Sequence, residues 1–298
     1  MSLEAELSIF LDSGAFSAWS RGSEVPLDDY IAFVQKYNQF IHVYANLDVI
    51  GDAEATWKNQ ERMEAAGLNP LPVYHVEDEL EYLYRCLEYP YFCLGGMAKG
   101  SSRDRRIFLD KCWNIICDDT GLPGNKVHGF GLTAVNLLVK YPWYSVDSTA
   151  WVLTGANGGI LVPKVKASGE YDFLSCSRIA VSSLAHLRSV SDPHIDNLSV
   201  SEREYVLDYI ESEGYTLGSS VVIHVDKDYI LKDGEFWLSG SIWEDGSKNI
   251  EDVKEVGVAN DYKLRHELNA KAFLHIQDCL PQWPWAFKRS GTRRLSLL

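Results

Sequence analysis

The stretch "FIHVYANLDVIGDAEATWKNQERMEAAGLNPLPVYHV", residues 40–76, changes period twice. Its opening, FIHVYANLD, is an apolar run of strand length; DAEATWKNQERMEAAG then takes helical spacing and stops at Gly67; LPVYHV is again a short apolar run. Two buried strands joined through a helix form a parallel βαβ unit. The same alternation extends in both directions. Upstream stand LSIFLD and, opened by Pro26, PLDDYIAFVQKYNQ. Downstream come DELEYLYRCLEY, YFCLGGM, SSRDRRIFLDKCWNIICDDTG closed by Gly121, KVHGFGL, TAVNLLVKYP and WYSVD. Six strands recur about every 25 residues, each followed by a helix or turn. No GxGxxG follows the first strand, which disfavours a dinucleotide-binding sheet. The predicted fold is α/β: a TIM-type (β/α)₈ barrel with C-terminal helical and small β embellishments.

The texture changes after Trp151. TGANGGILVPKVKASGEYDFLSCSRIAV reads as a Gly-rich turn, a hairpin and the start of a helix. DPHIDNLSVSEREYVLDYIESEG is a helix with Ser199 or Ser201 as N-cap. SSVVIHVDKDYILKDGEFWLSGSIW, with an Asp-Gly turn at 233–234, is a small β insertion, and DYKLRHELNAKAFLHIQDCL a final amphipathic helix. The expected organisation is a catalytic barrel region with a hairpin insertion over 1–190, then helices, β insertion and basic tail over 191–298.

The 298 residues are 46% hydrophobic, enough for a full core, and the net charge of -14 argues against a generally adhesive nucleic-acid binder without excluding a local basic groove. No apolar run approaches the ~20 residues of a membrane span, and the first residues lack signal-peptide character. Six scattered cysteines (Cys86, Cys93, Cys112, Cys117, Cys176, Cys279) do not form a disulfide scaffold. A reduced, cytoplasmic protein is expected.

Three aspartates stand where charge is out of place, at the ends of apolar strands: Asp12 after the first, Asp48 after the second, Asp147 after the sixth. In a closed barrel, strand C-termini ring one mouth. Two carboxylates about 5 Å apart across a sugar are the equipment of retaining glycosyl transfer, one as nucleophile and one moving the leaving group's proton. Their surroundings then have to split their pKa values. Taken singly, each aspartate also suits an Asx-turn or an N-cap. LGGM at 94–97, with Gly95, Gly96 and Met97, lets backbone N–H groups approach a ligand, and Gly129 in HGFG offers the same at the next strand; both also suit tight turns. Phe16 and Trp19 offer faces for a planar base, or core packing.

Together these motifs resemble the guanine transglycosylases, which exchange guanine for a 7-deazaguanine. DSGAF (12–16) resembles their DSGGF/Y; NLDVIGD (46–52) resembles the strand with their base-recognising aspartate; LPVYHVED (71–78) sits where GIVQGG falls; YFCLGGMAKG (91–100) resembles their aliphatic-GGL-x-x-G; KVHGFG (126–131) precedes the nucleophile strand; YSVDSTAW (144–151) takes the place of FDCVMPTR. Order and spacing hold from about residue 8 to 165. The variants DSGAFSAW and VDSTAW look closest to the phage branch that modifies DNA, which would place the protein in a host cytoplasm.

The resemblance implies Asp147 as the nucleophile on C1′ and Asp12 as general acid/base. Asp48 would accept from the base's N–H edge, Gly96 and Met97 would donate N–H groups to its carbonyl oxygen, and Phe16 would stack on it. His75 stands near the family's glutamine, a departure, as is Ser148–Thr149 in place of a proline-containing segment. No cofactor is implied, and the free deazaguanine base is a partner as substrate. The tRNA enzymes carry a structural zinc on C-x-C-x-x-C and a later histidine; here FLSCSRIAVSSLAHL contains Cys176 alone, and neither His186, His194 nor His266 completes a ligand spacing, so no metal is expected. For nucleic acid, two basic clusters are candidates: Lys99, Arg103, Arg105 and Arg106 after the LGGM turn, and Lys288, Arg289, Arg293 and Arg294 near the end. PQWPWAF before the second cluster reads as an aromatic anchor. DNA is the expected partner, with the same exchange on tRNA and a non-catalytic nucleic-acid-binding subunit as alternatives.

Overall fold

Six short strands run parallel in chain order: β1 (Ile9–Leu11), β2 (Ile41–Tyr44), β3 (Val73–Tyr74), β4 (Tyr91–Leu94), β5 (Lys126–Gly129) and β6 (Ser145–Val146). In this computed structural model, which describes residues 8–97, 100–132, 134–182 and 193–289, β1 pairs with β2 and β3-β4-β5-β6 form one ladder. A parallel bridge between Ala45 and Leu71 joins the two sets, with the Asn46 N–H donating to the Leu71 carbonyl and the Leu71 N–H to that of Tyr44, both at 2.9 Å. Helices return the chain between strands: α1 (Ala15–Ser20), α2 (Leu27–Tyr37), α3 (Ala53–Ala65), α4 (Leu80–Cys86), α5 (Ser102–Ile116) and α6 (Val135–Lys140). Strand residues on both faces, Phe92, Cys93 and Leu94 among them, are fully buried, which is why these strands read as unbroken apolar runs.

The sheet is strongly curled. The Phe10 ring of β1 stacks on His128 of β5 with centroids 4.1 Å apart. Four strand spacings in a flat sheet would hold them about 19 Å apart. Phe130 closes edge-on against both rings.

The chain divides into two compact units, Met1–Ser148 with Pro281–Leu298, and Thr149–Leu280, so the hairpin expected with the barrel region over 1–190 falls in the second unit and residues 281–298, expected with the second part, fall in the first. In the first unit, residues 281–289 pack as an anchor. The Phe287 N–H donates to the Gly121 carbonyl at 2.8 Å and Trp283 Nε1 to the Pro142 carbonyl at 3.0 Å. A Cβ on Gly121 would lie 2.6 Å from the Phe287 carbonyl oxygen, so only glycine admits this approach. Helix α5 ends at Ile116, short of that glycine, and Asp118 caps the turn between them by accepting from the Thr120 and Leu122 N–H groups.

The second unit holds α7 (Ala150–Ala156), an antiparallel hairpin of β7 (Gly159–Val165) and β8 (Tyr171–Ala180), α8 (Val200–Ser212), a sheet of order β10-β11-β9, and α9 (Tyr262–Cys279). Ser199 is the N-cap of α8, in a reciprocal capping box with Glu202. The small sheet comprises β9 (Ser219–Val225), β10 (Glu235–Ile242) and β11 (Lys248–Glu255). The end of the 154–181 stretch, expected to begin a helix after the hairpin, continues instead as strand β8, which pairs with β7 at Tyr171–Asp172 and Cys176–Ala180 on either side of a bulge. Arg265 of α9 donates to the carbonyls of Gly155 (2.7 Å) and Val258 (2.6 Å), and Asn269 is bonded to both Leu161 and Gly159 of β7. Among the described residues, no helix is long and apolar enough to cross a membrane.

Candidate active site

The C-terminal ends of the parallel strands carry the residues in question. Asp12 directly follows β1, Asp48 lies four residues beyond β2, His75 directly follows β3, Gly95 directly follows β4, Gly129 ends β5 and Asp147 directly follows β6. Parallel strands place these ends along one edge. Burial raises the Asp12 carboxyl above its ordinary value, and the charges of Asp48 and Asp147 raise it further, against a backbone hydrogen bond from Gly14. Cys93, wholly buried in β4, is pushed up by burial, then by the Cys86 thiol, and then by Asp48, Asp12 and Asp147. All three carboxylates therefore lie within electrostatic reach of one point.

Their environments differ. Asp147 is shifted downward: burial opposes its charge, but His128 and the Gly131 N–H, which donates to Oδ1 at 2.6 Å, outweigh it. Asp12 and Asp147 are thus driven in opposite directions, one toward holding a proton and the other toward staying ionised.

Asp48 is clamped. Ser13 Oγ donates to its Oδ1 at 2.9 Å, and His75 Nε2 lies 3.0 Å from its Oδ2. The other ring nitrogen of His75 is 3.4 Å from Asp78 Oδ2, which also accepts the His75 N–H at 2.8 Å. Burial disfavours the imidazolium, yet the bonds to Asp48 and Asp78 prevail and push His75 up to about 9. A Cβ on Gly95 would stand 2.7 Å from His75 Cδ2, so the glycine makes room for this ring. Each Asp48 oxygen keeps a second lone pair for a ligand donor.

The clamp makes stability pH-dependent. A folded-state pKa above the unfolded value of roughly 6.5 means that the contribution is complete below that pH and is lost as pH rises through about 9. It amounts to about 3 kcal/mol. Urea midpoints of the wild type should fall across this window and those of His75→Gln should not; parallel curves for the two proteins would refute the clamp.

The remaining residues divide by role. Gly96 has φ +78°, and among the described residues neither its N–H nor that of buried Met97 donates a hydrogen bond, leaving two amides open just past the end of β4. Phe16 is exposed on α1, its ring 5.9 Å from Trp19. Gly129 is a packing position: a Cβ there would lie 2.8 Å from the buried Trp143 ring. Arg103, Arg106 and Lys288 are exposed and Arg105 is half-buried. Arg289 donates to the carbonyls of Cys117 and Asp118, just past α5, where a cation suits the helix dipole. Lys99, Arg293 and Arg294, and His186, lie outside the described residues. A cavity of 440 Å³ lined by Asp52, Glu54, Glu77, Asp78, Glu79 and Glu81 touches the cluster through Asp78 alone, and its charge repels a phosphate backbone.

The described residues do not fit a Cys₃His zinc site. No group of three or more His, Cys, Asp or Glu among them is arranged for a metal, and Cys176 Sγ is bonded to the Phe173 carbonyl at 3.3 Å. Sequence reasoning missed Ser13 and His128, whose parts depend on neighbours across strands, and Asp78, which meets His75 three residues earlier in the chain; the only local signal for His128 is an imidazole beside Val127 in a short strand. Set against protein families, curated proteins and solved structures, the chain matches none, so the site rests on its own geometry.

Proposed function

We propose that this chain is a guanine transglycosylase that replaces guanine in DNA with a 7-deazaguanine such as 7-cyano-7-deazaguanine, on a (β/α)₈-type barrel to which β1–β6 contribute six strands. The observation that carries the reading is the pair of aspartates after β1 and β6, driven in opposite pKa directions within reach of each other. Asp147, ionised, attacks C1′ of the target nucleotide. The C1′–N9 bond breaks, its electron pair leaves with guanine, and Asp12 supplies the proton. The incoming base returns a proton to Asp12, its nitrogen attacks C1′, and Asp147 departs with its electron pair. Bonds broken and made are alike, so no nucleotide energy source is needed. Reaching C1′ requires extrusion of the nucleotide from its stack, at about a few kcal/mol. Asp48, Phe16 and the Gly96 and Met97 amides hold the base, and exposed Arg103, Arg106 and Lys288 meet phosphates.

DNA is favoured over tRNA because the zinc cluster of the tRNA enzymes has no counterpart among the described residues. The test is incorporation of labelled guanine, and separately of labelled 7-cyano-7-deazaguanine, into duplex DNA and into bulk tRNA. Label in DNA supports the proposal. Label in tRNA alone keeps the chemistry and overturns the substrate, and label in neither overturns the proposal for an enzyme acting alone.

A further inference from the structure

Behind Asp147 lies a chain of polar side chains to which the reaction above gives no part. His128 is 2% exposed, sandwiched against Phe10 and edge-on to Phe130. Its Nδ1 is 2.7 Å from Ser145 Oγ, which the β5–β6 register sets directly opposite. Ser145 Oγ is in turn 2.6 Å from the Tyr91 hydroxyl of β4. The other ring nitrogen, Nε2, is buried and has no hydrogen-bond partner; the nearest charge is Asp147 Oδ1 at 3.8 Å, beyond a hydrogen bond and within ion-pair reach. That same Oδ1 accepts the Gly131 N–H.

The protons in this chain have one satisfactory arrangement. If Nδ1 carried the hydrogen, the buried Nε2 would turn a bare lone pair toward an ionised carboxylate, which is repulsive. If Nε2 carries it, Tyr91 donates to Ser145, Ser145 donates to Nδ1, and Nε2–H points its positive end at Oδ1. Burial raises the Tyr91 hydroxyl to about 12, against the Ser145 bond, which keeps it a donor.

We propose that Tyr91, Ser145 and His128 form a one-directional hydrogen-bond chain that keeps the positive Nε2–H end of His128 facing Oδ1 of Asp147 at ion-pair distance, so that this field and the Gly131 N–H bond together engage Oδ1 and present Oδ2 as the attacking oxygen. This rests on Asp147 being the nucleophile. His128 is a positioning residue, acting only through Asp147. The stack on Phe10 fixes the ring plane, and the fixed ring fixes which oxygen is occupied.

Two measurements on the full chain test it, and the first needs no activity. Imidazole ¹⁵N shifts should show His128 as the Nε2–H tautomer in the wild type, and the Asp147 carboxyl ¹³C titration should move to higher pH in His128→Phe, which keeps the aromatic packing. His128→Gln, which keeps a donor, should restore the wild-type midpoint. Protonation at Nδ1, or an unchanged Asp147 midpoint in His128→Phe, overturns the proposal. The second is the exchange assay: kcat falls roughly tenfold or more in His128→Phe with KM held, and recovers in His128→Gln. Absence of exchange in the wild type would count against the transglycosylase reading while the NMR result still decides the hydrogen-bond chain.

Discussion

Asp147→Asn abolishes base exchange, with a rate loss on the order of 10⁴ or more, the size expected when a nucleophile is removed from a concerted set. The substitution is nearly isosteric, and the amide oxygen still accepts the Gly131 N–H, so the fold is retained. What is lost is the charge that attacks C1′. On a denaturing gel, the wild type incubated with DNA yields a protein–DNA adduct and the variant yields none. An adduct of equal intensity in the variant would place the nucleophile elsewhere.

Asp12→Asn has the second-largest effect, a fall of about 10²–10⁴, the usual share of a general acid. The loss depends on the leaving base: a nucleotide whose base departs readily as an anion recovers much of the rate in Asp12→Asn and none in Asp147→Asn. The pH profile adds a directional check. Burial and the charges of Asp48 and Asp147 raise Asp12, so the proton-donating form persists above the ordinary carboxylate value of 3.8 and the rate falls along an alkaline limb beyond it. Asp48→Asn removes one of those charges and moves that limb to lower pH. A limb that stays in place would mean the titrating group is not Asp12.

Much of the first unit was legible in the sequence. Strands buried on both faces leave unbroken apolar runs, and a charge directly after such a run is conspicuous, so Asp12 and Asp147 could be read by position alone. Ser13 and His75 meet Asp48 only because β1, β2 and β3 lie side by side, and no local pattern encodes that. His128 and Ser145 are 17 residues apart and opposed only through the β5–β6 register. The second unit was harder to read. Strand β11, KNIEDVKE, is dense in charge, yet Glu251 is buried there because Ser220 Oγ donates to it at 2.6 Å. β8 carries Ser, Cys and Arg at positions that obscure its alternation, and its pairing with β7 overrides weak local preference.

The anchoring of 281–289 on the first unit has a consequence for how the protein is made. The strand ends that carry Asp12, Asp48 and Asp147 are all synthesised before residues 149–280, yet the segment that seals Gly121, Pro142 and Tyr141 arrives only after them. At cellular elongation rates the nascent first unit waits on the order of ten seconds with Tyr141 and Tyr144 lacking their partners Phe287 and Trp283. During that interval it is exposed to chaperones and proteases, and a truncated translation product would carry every proposed catalytic carboxylate while lacking the segment that closes its core.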